Sequence, residues 1–161
     1  MNNVKPPLMK RSSTVFLRVV IYLIGLAVAG LCVILFGVSI SGNAGMLLPL
    51  MLLMLLTAVP FFFGLYQGLL LLSYIDKNSA FSELSVKAVR KVKYCAGVVS
   101  VLYALMMPYI IYVSEKDDAP GAVVIGLVLI FAPLVIAVFT AVLETLLQNA
   151  IDIKSENDLT V

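Results

Sequence analysis

Residue types that could carry out chemistry are scarce in this chain. It has no histidine, which removes the side chain best suited to proton transfer at neutral pH and a frequent zinc ligand. The two cysteines, Cys32 and Cys95, form no closely spaced pair and are expected to pack as small apolar side chains. No phosphate-binding loop, dinucleotide-binding glycine motif, nucleophile elbow or zinc-protease motif occurs. The sequence therefore predicts no catalytic, metal or cofactor site.

One amide side chain, Gln67, interrupts a long apolar run and lies between Gly64 and Gly68. Glycines four residues apart share a helix face and let two helix backbones approach closely. Gly25 and Ala29 repeat this spacing of small residues in the first apolar segment. Three interpretations stay open: packing within the chain, a face for a homo-oligomer, and a substrate site that uses Gln67.

Two charged residues lie at the edges of apolar segments. Glu144 is the ionisable residue closest to the membrane interior, and such residues are functional candidates by default. Counting from Ala122 nevertheless places Glu144 near an interface, where charge costs less. Arg18 is expected at the same depth on the first segment. The sequence thus predicts a structural ion pair between Arg18 and Glu144.

The amino-acid composition indicates the class of protein to which the chain belongs. Of 161 residues, 62% are hydrophobic and 12% are charged, and the mean hydropathy is +1.10. Soluble domains are about 45–50% apolar and about 25% charged. A soluble domain of this size has too little interior to bury the additional apolar residues. The net charge of +2 is too small to indicate nucleic-acid binding. The sequence predicts an integral membrane protein whose direct surroundings are the lipid bilayer.

Four stretches are long enough to cross a hydrocarbon core of about 30 Å as helices. The predicted fold is a single all-α membrane domain, an antiparallel up-down bundle of four transmembrane helices. The first stretch contains about 20 apolar residues, more than a signal peptide uses, so it is interpreted as an uncleaved anchor. The predicted spans are 15–40, 46–75, 94–113 and 122–147.

The distribution of lysine and arginine predicts the orientation. If both termini are cytoplasmic, ten of the eleven basic residues lie inside and only Lys116 lies outside. The sequence therefore predicts a multi-pass protein of the cell membrane with both termini in the cytoplasm. The cytoplasmic surface then consists of the N-terminal arm, the connection 76–93 and the tail 148–161.

The third and fourth helices are expected to extend beyond the membrane on that side. Ser82 is a good N-cap residue, so one helix could run from Glu83 to Val113. The fourth helix continues its apolar periodicity past Glu144. The extensions would place a basic stripe beside an acidic one, either as solvated faces that meet anionic lipid or as a weak, reversible latch. The stripes comprise Lys87, Arg90 and Lys91 on one helix and Glu144, Gln148 and Asp152 on the other.

The end of the tail lies beyond the last predicted span, so the membrane does not dictate its sequence. Leu159 and Val161 alternate with polar residues in the period of a strand, which suits addition to a sheet edge or insertion into a groove of a partner. A frayed terminus is the alternative. The predicted cytoplasmic interaction surface consists of Lys87, Arg90, Lys91, Asp152, Glu156, Asp158, Leu159 and Val161.

Two cytoplasmic segments carry a family resemblance. SYIDKNSAFSELSVKAVRKVKYCA (73–96) and AIDIKSENDLTV (150–161) resemble the YoaS-like family, small four-helix bacterial membrane proteins that form a domain of unknown function. The resemblance implies four spans and no established activity. It also implies, by family analogy, a cytosolic partner of the helix-turn-helix regulator type.

The function predicted from these features is that of a non-enzymatic regulatory or sensory membrane component, which acts on a cytosolic partner through its cytoplasmic face. Two alternatives remain. The first is a transporter or channel for a small solute, because Pro60, Pro108 and Pro133 could break three helices as in transporter binding sites. The second is an immunity protein against a membrane-active peptide.

Overall fold

The computed structural model describes the backbone of residues 8–42, 45–77 and 79–159, and the side chains of residues 13–42, 45–77 and 79–157. Within these ranges the chain forms four α-helices and no strand. All four helices are long and apolar enough to cross a membrane, which confirms the predicted fold class. The helices are α1 (Leu8–Ile40), α2 (Leu48–Asp76), α3 (Glu83–Lys116) and α4 (Gly121–Leu159), and a 3-10 turn, Gly45–Leu47, precedes α2.

The start of α3 has the predicted cap. The Ser82 hydroxyl accepts a hydrogen bond from the backbone N–H of Ser85 at 3.4 Å, which satisfies one of the free donors of the first turn. The Ser85 hydroxyl in turn donates to the carbonyl of Ser79 at 3.2 Å and so ties the incoming connection to the helix. The helix then runs without a break to Lys116, as the continuous helix from Glu83 requires.

The C-terminal segment is helical, and the expectation of a strand-like tail is wrong as far as the structure describes it. Helix α4 continues to Leu159. No glycine or proline follows Pro133 in the chain, and the Gln148 amide donates to Asp152 at 3.3 Å, four residues further along the helix. Helical structure therefore extends to Leu159, the last residue whose backbone is described. Val161 lies outside the described residues.

The three prolines within the spans do not break their helices. Pro60, Pro108 and Pro133 each lie inside one continuous helix, so the expectation of proline-broken helices is wrong. Membrane helices tolerate proline when other groups bond the backbone carbonyls of the affected turn. The Ser100 hydroxyl of α3 donates at 2.9 Å to the carbonyl of Ile130, next to the Leu129 carbonyl that Pro133 leaves without its helical donor, and so ties α3 to this turn of α4.

The helices pack in the order of the sequence. Helix α1 packs against α2, α2 against α3, and α3 against α4, whereas α1 and α4 do not pack along each other. Consequently α3 is the most buried helix of the described chain and α1 the most exposed. One end of the bundle, formed by residues 8–18, 72–77, 79–93 and 144–159, contains most of the charged residues of the described chain and is called the basic end below.

Candidate functional site

A three-residue ion cluster joins α3 to α4 at the basic end. The Glu144 carboxylate accepts a hydrogen bond from Arg90 Nε at 2.6 Å and another from Lys93 Nζ at 2.7 Å. The Glu144 side chain is 14% exposed. One acidic group thus bonds two basic groups of the neighbouring helix and leaves one positive charge in excess, where solvent screens the three charges only in part.

A second ion pair joins α1 to α2 at the same end. Arg18 Nη2 donates to the Asp76 carboxylate at 2.8 Å and to the Ser73 hydroxyl at 3.1 Å. The predicted Arg18–Glu144 pair is therefore wrong. Because α1 packs on α2 and not on α4, Arg18 reaches the end of α2, while α3 supplies the cations for Glu144.

Only part of the predicted pair of stripes comes together. Arg90 contacts Glu144, as the antiparallel arrangement of α3 and α4 requires. Lys87 and Lys91 are exposed, and neither forms an ion pair with a described residue. Asp152 and Glu156 are exposed on the extension of α4. The side chains of Asp158 and Leu159 lie outside the described ones.

The tightest packing in the described chain lies at the start of α3. Ser85 is fully buried, and Val86, Ala88 and Val89 are 2–4% exposed. These residues precede the apolar part of the third span, so the basic end has a core of its own. The sequence offered a signal for it, since positions 85, 86, 88 and 89 are small or apolar and share one helix face.

The Gly64–Gln67–Gly68 motif packs inside the chain. A Cβ atom placed on Gly64 would lie 3.5 Å from Cys95 Cβ on α3, and one on Gly68 would lie 3.9 Å from Ile21 Cδ1 on α1. The two glycines thus face the neighbours of α2 on both sides. Gln67 is 4% exposed, and its amide forms no hydrogen bond with a described residue.

A cavity of about 540 Å³ lies between the four helices, and sequence reasoning missed it. Its wall includes Cys32 of α1, Cys95 of α3 and Pro133 of α4, and both cysteines are free thiols. Gln67 is not part of the wall, although its neighbour Gly68 is. The only polar side chains in the wall are Thr57 and Tyr103, whose hydroxyls lie 3.3 Å apart.

These features permit binding and offer no arrangement for bond-breaking chemistry among the described residues. No group of three histidine, cysteine, aspartate or glutamate side chains there is close enough to hold a metal ion. The ion pairs among the described residues lie at the basic end, and the interior space is largely apolar. Four apolar helices with their ion pairs confined to the basic end define a multi-pass membrane protein.

The chain belongs to a family described as protein of unknown function (DUF2975), whose sequence profile matches residues 39–161. It is 52% identical over 160 residues to the uncharacterized membrane protein YoaS of Bacillus subtilis (strain 168), an alignment that covers 95% of this chain and 100% of that protein. The resemblance to the YoaS-like family is thereby confirmed. No solved structure matches the chain.

The ion cluster yields a stability prediction. Glu144→Gln should lower the free energy of unfolding by on the order of 1–2 kcal/mol, because two charge-assisted hydrogen bonds are weakened at once. Arg90→Gln should have a smaller effect, because Lys93 still neutralises the carboxylate. Thermal unfolding of the purified variants in one detergent measures both. Equal losses for the two variants would show that Glu144 does not bridge both cations.

Proposed function

We propose that this chain is a non-enzymatic regulatory membrane component that docks a cytosolic protein on the extensions of α3 and α4. Its orientation follows from the positive-inside rule, with both termini and the basic end in the cytoplasm. By family analogy, a small helix-turn-helix regulator is the proposed partner. The bilayer holds the four spans, and the extensions present the docking surface.

The observation that carries this proposal is a group of large apolar side chains exposed beyond the spans. Phe81, Leu84 and Ile153 are 62%, 55% and 61% exposed. Leu84 precedes Tyr94, the start of the third apolar stretch, by ten residues, or about 15 Å along the helix. The headgroup layer adds only about 5–8 Å to each side of the hydrocarbon core, so lipid does not cover these side chains. Apolar side chains exposed to water are typical of protein-binding surfaces.

The extensions also have the rigidity that a docking surface needs. The buried residues Val86 and Val89 fix the first turns of α3, and the Glu144 cluster fixes α4 beside it. Because the described tail is helical, the recognition mode that fits is a helix face laid in a groove, in place of strand addition. The exposed Lys87, Lys91 and Asp152 would then select the partner by charge.

The structure supports the transporter alternative less than the sequence did. The helices are continuous through their prolines, and Gln67 does not line the cavity. A solute path through the bundle would have to use a wall that is almost entirely apolar. No structural feature favours the immunity alternative over the docking function.

Site-specific photo-crosslinking in cells tests the docking surface. A photoreactive amino acid at position 84 and another at position 153 should each capture the same discrete cytosolic protein. The matched control is position 135, where Val135 is 65% exposed on the apolar part of α4 and should contact lipid only. Identical adducts at all three positions would indicate random contact and contradict the proposal.

The double variant Leu84→Lys, Ile153→Lys and a deletion of residues 154–161 provide the second arm. Both should leave membrane insertion nearly unchanged, because the replaced side chains are exposed and the deleted segment lies beyond the predicted span 122–147. The double variant should also keep the thermal stability of the wild type. Both should reduce capture of the crosslinked protein. Glu115→Gln, at the opposite end, should not. Undiminished capture by the double variant would contradict the docking role.

A further inference from the structure

The cavity is long as well as apolar. On α1 its wall extends from Ile21 to Leu35, a rise of about 21 Å, which exceeds the depth of about 15 Å of one hydrocarbon leaflet. Apart from Thr57 and Tyr103, every lining side chain is apolar or a thiol. A space of this volume is within the range of ligand-binding cavities, and its elongated form suits a single hydrocarbon chain.

The two hydroxyls in the wall have no donor left for a polar ligand. Thr57 donates its proton to the carbonyl of Met54 at 3.0 Å. The Tyr103 hydroxyl is therefore the donor in its 3.3 Å contact with Thr57. A polar solute in the cavity would lose its hydration without gaining equivalent bonds, whereas a hydrocarbon chain would not.

The cavity is open to the bilayer between α1 and α4, which do not pack along each other. Lining residues on both sides of this gap remain exposed: Leu31 is 44% exposed, Val128 58% and Ile136 52%. An acyl chain could therefore enter sideways from the membrane while its headgroup stays in the headgroup layer.

The basic end supplies a site for a negatively charged headgroup. Arg18 lies one helical turn from Ile21, the first lining residue of α1, and Lys93 directly follows the lining residue Val92. The bonds of Arg18 to Ser73 and Asp76 both use Nη2, and the Arg18 side chain is 37% exposed. Phosphate is a suitable partner for such a guanidinium.

From these observations we infer that the cavity binds one acyl chain of an anionic glycerophospholipid, with the phosphate beside Arg18. Of the lining residues, only Val92 belongs to the extensions, and it is not one of the exposed side chains assigned to docking, so the two sites can be tested separately. The bound lipid would fill the gap between α1 and α4 and act as a fifth element of the bundle.

A phosphatidylglycerol with a diazirine in its acyl chain tests the site on the intact protein. After purification in mild detergent, labelling should concentrate on cavity residues such as Cys32 and Ala132 and should be weak at Ala104, an exposed residue of α3 outside the wall. Equal labelling of the cavity and of Ala104 would mean surface lipid only and would overturn the proposal.

Two cavity-filling variants provide the quantitative arm. Ala58→Phe on α2 and Ala132→Phe on α4 each place a ring where several methylene groups would lie, so phosphatidylglycerol retained by the protein should fall about tenfold in native mass spectrometry. Ala104→Phe is the matched control and should retain lipid as the wild type does. A fall in thermal stability would identify a variant that does not fold. The labelling experiment uses the wild type and therefore does not depend on any variant.

A comparison of two lipid headgroups tests the assignment of an anionic lipid. The wild type should retain phosphatidylglycerol in preference to phosphatidylcholine, and Arg18→Gln should reduce that preference. Equal retention of both lipids by the wild type would overturn the assignment of an anionic lipid.

Discussion

Replacing Val89 with aspartate should prevent the protein from accumulating in the membrane. Val89 is 2% exposed at the start of α3, the helix that packs against both α2 and α4. A carboxylate placed in this packed core loses its hydration, and burying such a group costs several kcal/mol. This is a large fraction of the roughly 5–15 kcal/mol by which native proteins are stable. Quantitative immunoblotting of membranes and the elution profile in detergent measure the loss.

Leu84→Asp is the matched control, because Leu84 lies on the same extension of α3 and is 55% exposed. It should accumulate as the wild type does and lose only the partner contact assigned to position 84. If the Val89 and Leu84 variants accumulate equally, the start of α3 is not a structural core.

A leucine at position 126 should separate the halves of α3 and α4 that lie away from the basic end. Gly126 is buried, and a Cβ atom there would lie 3.2 Å from Met107 Sδ and 3.3 Å from Ile110 Cδ1. A full leucine side chain must displace both residues, and overpacking of this kind costs about 1–3 kcal/mol or more. We expect a clear fall in the thermal unfolding temperature of Gly126→Leu in detergent.

Gly30→Leu controls for the removal of a glycine from a helix. A Cβ atom placed on Gly30 of α1 would meet no packed neighbour within 4 Å, so a side chain at this position would enter lipid. This variant should be as stable as the wild type or slightly more stable, since glycine is a poor helix former. A similar loss of stability in both variants would argue against close packing at Gly126.

Hydropathy and caps are sufficient to predict the four helices and the start of α3 at Glu83. Both are local properties, because a span is defined by its own apolar length and a cap by a few adjacent residues. The tail is harder to predict, because the alternation at Leu159 and Val161 is short, whereas α4 is long and has no glycine or proline between Pro133 and its described end at Leu159.

The partners of Arg18 and Glu144 could not be derived from depth alone. Several charged residues lie at the same level of the bundle, and the choice among them depends on which helices are adjacent. Asp76 could have been considered, since it ends the helix that follows α1 in the chain. The cavity could not be predicted from the sequence, because it arises from the gap between α1 and α4 and no residue type indicates such a gap.

The sequential packing of the helices has a consequence for biogenesis. Every extensive contact joins helices that are adjacent in the chain, so no early helix must wait for a distant one before it finds its neighbour. Low contact order of this kind favours rapid assembly with few misplaced intermediates. The bundle can thus be completed one helix at a time as the ribosome supplies each span, and its architecture is compatible with insertion that is finished almost as soon as translation ends.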